Sequence, residues 1–157
     1  MDSPFKNVRI GVANRGIPAL RIGRTIREME GIYVAFATEE DMTAPHVTKA
    51  DKAYTIRTEG GYLDIKEIVR IAKQHNIQAL HPGWGFAAEN NRFPSLCKDN
   101  GIIFIGPSED PMKKLGNKVK ASEIAEAFSK LCSSSSWELI ITIPLPPPPP
   151  SLFIMTG

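Results

Sequence analysis

VRIGVANRGIPALRIGRTIREMEGIYVAFA, residues 8–37, holds two short apolar runs with a helical pattern between them. VRIGVA (8–13) and IYVAFA (32–37) are rich in β-branched and aromatic residues and short, which predicts strands. Between them PALRIGRTIREME (18–30) sets Leu20, Ile22, Ile26 and Met29 at helix-like spacing. Pro18 suits the first helical turn, where its missing N–H has no partner to lose. Strand, helix and strand in that order are the unit of a parallel sheet.

The same alternation continues outward. AYTI (53–56), IQAL (77–80) and IIFIG (102–106) read as further strands. LDIKEIVRIAKQHN (63–76) places Ile65, Ile68, Val69 and Ala72 on one helical face, with Asp64 early and Lys73 late, both favourable to the helix dipole. NNRFPSLCKDNG (90–101) is a weaker helix that ends at Gly101. PSEDPMKKLGNKVKASEIAEAF (107–128) gives a turn of helix opened by Ser108, a break at Gly116 and a longer helix. These elements predict an α/β fold: a Rossmann-like parallel sheet of about five strands with helices on both faces. Residues 129–157, with four consecutive serines and five consecutive prolines, change character. Polyproline forms an extended helix without internal hydrogen bonds, so this Ser/Pro-rich tail is expected to be disordered or appended, and residues 1–128 to form the folded part.

Composition narrows the function classes. Nineteen basic and 17 acidic residues are well mixed and leave a net charge of +2, so no basic stripe argues for nucleic acid or a membrane surface. No apolar run approaches the roughly 18 residues that a membrane span needs. The N-terminus MDSPFKNVRI lacks the apolar region of a secretory signal. Cys97 and Cys132 are isolated, with no CxxC pair and no histidine cluster, so no metal site is expected; Cys97 falls in a helical pattern and reads as a core residue. The expectation is a protein of a reducing compartment, cytoplasmic, or of the mitochondrial matrix in a eukaryote although no transit peptide is visible.

Four places could carry chemistry. After the first strand, GVANRG lacks the spacing of a dinucleotide fingerprint, and Gly16 precedes Ile17 and Pro18 rather than the Lys and Ser/Thr of a P-loop. Asn14–Gly16 is then either a tight turn or an anion site at a helix N-terminus with Arg15 beside it. His46 and Asp51 are a base and its orienter, or simply structural, since no nucleophile accompanies them. HPGWGFAAEN (81–90) follows the fourth strand, at the carboxyl end of the sheet where ligands of open α/β folds gather. Gly83 and Gly85 permit close backbone approach, Trp84 offers a flat apolar face, and Glu89 or Asn90 could fix a polar group. The competing reading is a packed loop in which Trp84 and Phe86 fill core. Lys118, at a helix start beyond Gly116, meets a phosphate as a point charge or is merely solvated.

Taken in order, these stretches resemble the N-terminal part of biotin carboxylase, the ATP-grasp component of biotin-dependent carboxylases. VANRGIPALRIGR (12–24) resembles that family's ANRGEIA-x-R opening, and PHVTKADKAYTI (45–56) its H-x-x-x-AD-x-A segment. GGYLDIKEIV (60–69) resembles SYLNI, ALHPGWGFAAEN (79–90) resembles HPGYGFLSEN, IIFIGPS (102–108) resembles F-I-GP, and LGNKVKA (115–121) resembles GDK-x-x-A. The resemblance implies a pre-ATP-grasp domain that runs into the start of the ATP-grasp domain. It also implies an ATP-dependent ligase that forms carboxyphosphate from bicarbonate and Mg-ATP and carboxylates biotin held on a carrier domain. A carboxyltransferase elsewhere then delivers the carboxyl to an acyl-CoA or pyruvate, and the acceptor is not written in this stretch. By resemblance Lys118 contacts ATP phosphates, Gly83, Trp84 and Gly85 line the biotin and bicarbonate pocket, and Arg24 and Glu28 belong to a homodimer surface.

The sequence departs from the family pattern at Ile17-Pro18, where the family has Glu-Ile, and at Trp84, where it has Tyr. The resemblance also implies a lid loop, a nucleotide-clamping lysine, acidic magnesium ligands and an arginine-rich carboxylation site, whose motifs do not follow here. The expectation is therefore a truncated or mis-spliced product, or a gene model read into non-coding sequence, inactive alone. The alternative is a non-enzymatic fragment that dimerises with or modulates a full-length carboxylase subunit.

Overall fold

The computed structural model describes residues 3–115, together with 122, 123, 125 and 126, with 86, 114 and 115 given by backbone alone. The chain divides into two compact units, Met1–Lys118 and Val119–Gly157. In the second, Ser122, Glu123, Ala125 and Glu126 are helical. The expected boundary at 128/129 and the Ser/Pro tail lie outside the described residues.

The first unit alternates strand and helix. Its strands are β1 (Arg9–Val12), β2 (Ile32–Ala37), β3 (Lys52–Thr55), β4 (Ala79–His81) and β5 (Ile103–Phe104). Its helices are α1 (Gly16–Glu28), α2 (Pro45–Thr48), α3 (Ile65–Gln74), α4 (Phe93–Asp99) and α5 (Glu109–Leu115), with 3-10 turns at Glu39–Asp41, Gly61–Leu63 and Phe86–Glu89. Every strand pair is parallel, in the order β3-β2-β1-β4-β5. This is the expected five-stranded α/β sheet, and the strand order reverses direction at β1, with β2 on one side and β4 on the other.

Period-2 alternation assigns the strands' side chains to two cores. Val34 and Phe36 of β2 and Leu80 of β4 join Ile68, Val69 and Ala72 of α3 and Cys97 of α4 on one face. Ile10 and Val12 of β1 with Tyr33, Ala35 and Ala37 of β2 meet Ala19 and Ile26 of α1 and Val47 of α2 on the other. The predicted α3 face is thus buried, and Asp64 caps that helix by accepting the Glu67 N–H at 3.0 Å. Hydrogen bonds from backbone N–H groups, the Glu67 one foremost, hold the Asp64 carboxyl below the usual carboxylate range.

α1 buries a different stripe from the one its periodicity predicts. Ala19, Gly23 and Ile26 face the sheet, while Leu20, Ile22 and Met29 are half-buried. Small residues let the helix axis approach the strands: a Cβ on Gly23 would lie 2.6 Å from Tyr33 Cδ1 and 2.8 Å from its Cζ. The Tyr33 ring has no room to yield. It is 2% exposed, its hydroxyl donates to the His46 carbonyl at 2.7 Å, and burial pushes its pKa up to about 12. Gly23→Ala tests which effect wins. Helix propensity alone favours alanine by about 1 kcal/mol, whereas overpacking costs about 1–3 kcal/mol. The expected outcome is a lower urea midpoint with a net loss of up to about 2 kcal/mol; a midpoint raised by the full helix-propensity gain would contradict the close packing of α1 on Tyr33.

Candidate functional site

At the carboxyl ends of β1 and β4 the chain leaves the sheet in two directions. Ala13 N–H still donates to the His81 carbonyl at 2.9 Å, which extends the ladder by one bond. The next residue, Asn14, is 2% exposed, and a buried amide needs partners. Its Nδ2 donates to the carbonyls of Pro82 at 2.8 Å and Trp84 at 2.9 Å, and its Oδ1 accepts the Arg15 N–H at 2.9 Å. One side chain therefore ties the loop after β4 to the loop after β1.

That loop could only be built from glycine at two places. Gly83 has φ +72°, and a Cβ there would stand 2.6 Å from Asn14 Cγ and 2.7 Å from its Cβ. Gly85 has φ 64° and ψ −160°, a region essentially closed to other residues, and a Cβ on it would meet nothing within 4 Å. The first glycine is required by contact with Asn14 and by φ, the second by backbone conformation beside open space. Between them Trp84 is 72% exposed, so it does not fill core. Glu89 is exposed at the end of the following 3-10 turn, and Asn90 Oδ1 accepts the Arg92 N–H at 3.0 Å, a local turn contact.

The first turn of α1 is held by a second polar chain. Gly16 N–H donates to His46 Nδ1 at 3.4 Å, and His46 Nε2 lies 3.3 Å from the Tyr62 hydroxyl. The Tyr62 hydroxyl donates to Asp41 Oδ2 at 3.0 Å, and Arg15 Nη2 is 3.1 Å from Asp41 Oδ1. The run has one consistent proton arrangement: a neutral imidazole with its proton on Nε2, donating to tyrosine, which donates to aspartate. Burial lowers the His46 pKa, with Asp41 opposing and Arg15 reinforcing, and burial foremost pushes the Tyr62 hydroxyl well above its ordinary value.

This arrangement supports the structural reading of His46 and removes its pairing with Asp51. His46, 1% exposed on α2, faces Asp41 and Tyr62, while Asp51 accepts the Tyr33 N–H at 2.8 Å and pairs with Arg27 at 2.9 Å. Burial raises the Asp51 pKa, but the Arg27 and Tyr33 hydrogen bonds outweigh it and leave the carboxyl below its ordinary value. It also weakens the anion reading of Asn14–Gly16: the Arg15 and Gly16 N–H groups are used internally, Pro18 has none, and Arg15 is paired with Asp41. The turn is a structural one.

Arg24 and Glu28 lie on the outer face of α1, 2.8 Å apart in an exposed i,i+4 pair. They border a shallow groove of about 450 Å³ that also takes in Arg21, Arg27 and Lys49. Lys118 and Gly116 lie outside the described residues. Among the described residues no three His, Cys, Asp or Glu side chains come together as a metal site. The sequence places Asn14 in a turn but not against the loop after β4, and it does not single out Asp41 or Tyr62. Their signal is a polar side chain at the carboxyl end of an apolar strand, or facing one, which needs a partner once the sheet buries it.

Two neutral histidines thus accept glycine amides at this end of the sheet: His46 from Gly16, and His81 Nδ1 from Gly83 at 2.9 Å. Burial lowers the pKa of both. A folded-state pKa below the ordinary imidazole value of about 6.5 means fewer protons bound folded than unfolded. Stability is full above that value and declines as pH falls through the folded-state values, by at most about 1.4 kcal/mol per pH unit for each histidine. Urea unfolding between pH 7.5 and 5 should show this decline. His81→Asn, which keeps an acceptor near Nδ1 but cannot titrate, should make the slope shallower, and an equal slope would exclude His81 from the effect.

Residues 6–112 match the family model of the biotin carboxylase N-terminal domain. The chain is 42% identical over 122 residues to biotin carboxylase 2 of Bacillus subtilis, covering 76% of this chain and 28% of that protein. It is 41% identical over 121 residues to pyruvate carboxylase 1 of Caenorhabditis elegans, covering 74% of this chain and 10% of that protein. The biotin carboxylase domain dimer of Hydrogenobacter thermophilus 2-oxoglutarate carboxylase, solved with MgADP, ADP and bicarbonate, superposes with a TM-score of 0.73 at 38% identity over 76% of this chain and 27% of that one. The chain therefore spans between about a tenth and 28% of the length of these relatives. With the family model covering most of the first unit and the parallel sheet shared, the chain belongs to the biotin carboxylase family, of which it holds the N-terminal domain.

Proposed function

We propose that this domain serves the ATP- and bicarbonate-dependent carboxylation of biotin on a carrier domain, with Gly83, Trp84 and Gly85 forming one wall of the biotin and bicarbonate pocket. The observation that carries this is the loop at the switch point: an exposed indole next to a glycine with open space beside it. A flat apolar ring and a close-approach backbone fit the flat ureido ring of biotin or the planar bicarbonate ion. The bicarbonate-bound relative of the same fold supports the assignment. When bound, ATP with magnesium supplies the phosphoryl group that activates bicarbonate; Lys118 is the residue of this chain assigned to its phosphates. Magnesium ligands are not assigned to the described residues. Carrier and carboxyltransferase domains are the partners, and the carboxyl acceptor belongs to the latter.

Phosphoryl transfer depends on positioned cations around the transferring group, and this chain spans at most 28% of biotin carboxylase 2. The 157-residue chain by itself is therefore expected to give no bicarbonate- and biotin-dependent ATP turnover. A coupled ADP-release assay on the purified chain checks this, and turnover above the no-biotin blank would refute it.

A second reading is favoured by the outer face of α1, where Arg24 and Glu28 border an open groove, and by the dimeric state of the Hydrogenobacter relative. On it the chain associates with a full-length carboxylase subunit through this helix. Tagged chain should then retain a full-length subunit under mild salt, and Arg24→Glu should abolish retention. Equal retention by wild type and variant would remove α1 from the contact.

A further inference from the structure

Asn14 sits behind the loop rather than in it, and the planarity of the peptide bond gives its contacts a consequence. No peptide bond among the described residues is cis, and in a trans peptide the C=O and N–H point in opposite directions. Asn14 Nδ2 draws the Trp84 carbonyl inward at 2.9 Å, so the Gly85 N–H of the same peptide is turned outward, away from Asn14. It draws the Pro82 carbonyl inward at 2.8 Å, and the Gly83 N–H of that peptide turns to His81 Nδ1 at 2.9 Å. Two alternate peptide planes of the loop are thereby fixed by one side-chain amide. Asn14 is itself fixed: it is 2% exposed, its Oδ1 is used by Arg15 N–H, and Gly83 lies against its Cβ and Cγ.

We propose that Asn14 is the positioning residue of the switch-point loop, holding the Gly85 N–H outward beside the exposed Trp84 indole before any ligand arrives. The ligand side of this inference rests on the pocket reading above; the positioning itself rests on the Asn14 contacts. Only an amide does this work at that place. Aspartate has the same shape and still accepts from Arg15, but as a carboxylate it sets acceptors against two carbonyls. Alanine leaves both carbonyls without a donor. A preorganised loop raises affinity by removing the ordering cost from the binding step.

The test uses the full ¹⁵N,¹³C-labelled chain and its Asn14→Ala and Asn14→Asp variants. In both variants the Gly83 amide, bonded to His81 Nδ1 in wild type, should exchange with solvent about tenfold faster or more, while Val34 and Phe36 in the central ladder keep their protection. Unchanged exchange at Gly83 overturns the proposal. Should the variants fail to fold, the wild-type chain decides. The Asn14 side-chain amide protons should exchange slowly and show couplings across the hydrogen bonds to the Pro82 and Trp84 carbonyl carbons, and fast exchange without coupling overturns it. Sodium bicarbonate and free biotin, titrated separately, form the second arm. Wild-type shifts at Gly85 and the Trp84 indole should saturate at a concentration about threefold or more below that for Asn14→Asp. A loosened loop in the variants with no ligand response in wild type supports the positioning role and removes the pocket reading. Equal affinities in wild type and variant overturn the positioning role and leave the pocket standing.

Discussion

β1 is hydrogen-bonded on both edges, to β2 and to β4; Ile10 and Val12 are buried on one face, and Gly11 lies against Phe36 and Leu80 on the other. Such a strand has no surface at which to end. Where it stops, its successor residues and those of β4 must turn away from each other while still inside the protein, and every polar group uncovered there needs a partner. Asn14 satisfies two carbonyls of one loop and an N–H of the other. The run from Gly16 through His46, Tyr62 and Asp41 to Arg15 does the same for the first turn of α1. Those demands account for much else: a glycine at 83 because Asn14 occupies its side-chain space, and neutral histidines at 46 and 81 because each must accept an N–H.

The fold was legible because its signals are local. Short β-branched runs bounded by turn residues marked all five strands to within a few residues, and the α3 face was read residue by residue. What periodicity could not read was distance of approach. α1 turns Ala19 and Gly23 to the sheet in place of Leu20 and Ile22, because the Tyr33 ring sits under the helix and only small residues fit above it. The four-residue helix α2 carries no such signal, since one turn is too short to show a period.

The site was half legible. Glycines flanking an aromatic after a strand named the loop, and the topology put it at the switch point. The residue that holds the loop, 68 positions away from Pro82 and 70 from Trp84, could not be found from spacing. His46 shows the converse: the sequence marks it as structural but not what it bonds to. Asp51 is nearer in sequence than its true partner Tyr62, but its carboxylate is taken by the Tyr33 N–H and Arg27. Sequence proximity is a weak guide to pairing here because α2 ends at Thr48 and the turn after it carries Asp51 to the edge of β2.

Exposure of a large apolar side chain is by itself unremarkable, and Ile17, at 73%, is as exposed as Trp84 at 72%. What separates the two is the backbone beneath them. Ile17 rides on the first turn of a helix whose fixed groups face inward to His46 and Asp41, so its side chain has no polar companion placed by that network. Trp84 stands between two glycines in restricted conformations, with its own carbonyl tied to a buried amide and the next N–H turned outward. Leaving an indole in water forgoes roughly 1.5–3 kcal/mol of burial, and fixing the loop's dihedrals costs about 1–2 kcal/mol per residue. A chain that bears both costs at one loop, while burying Tyr33, Phe36 and Phe93, has a rigid apolar face beside a directed donor at the mouth of its switch point. That combination suits a flat polar-edged ligand far better than it suits solvent.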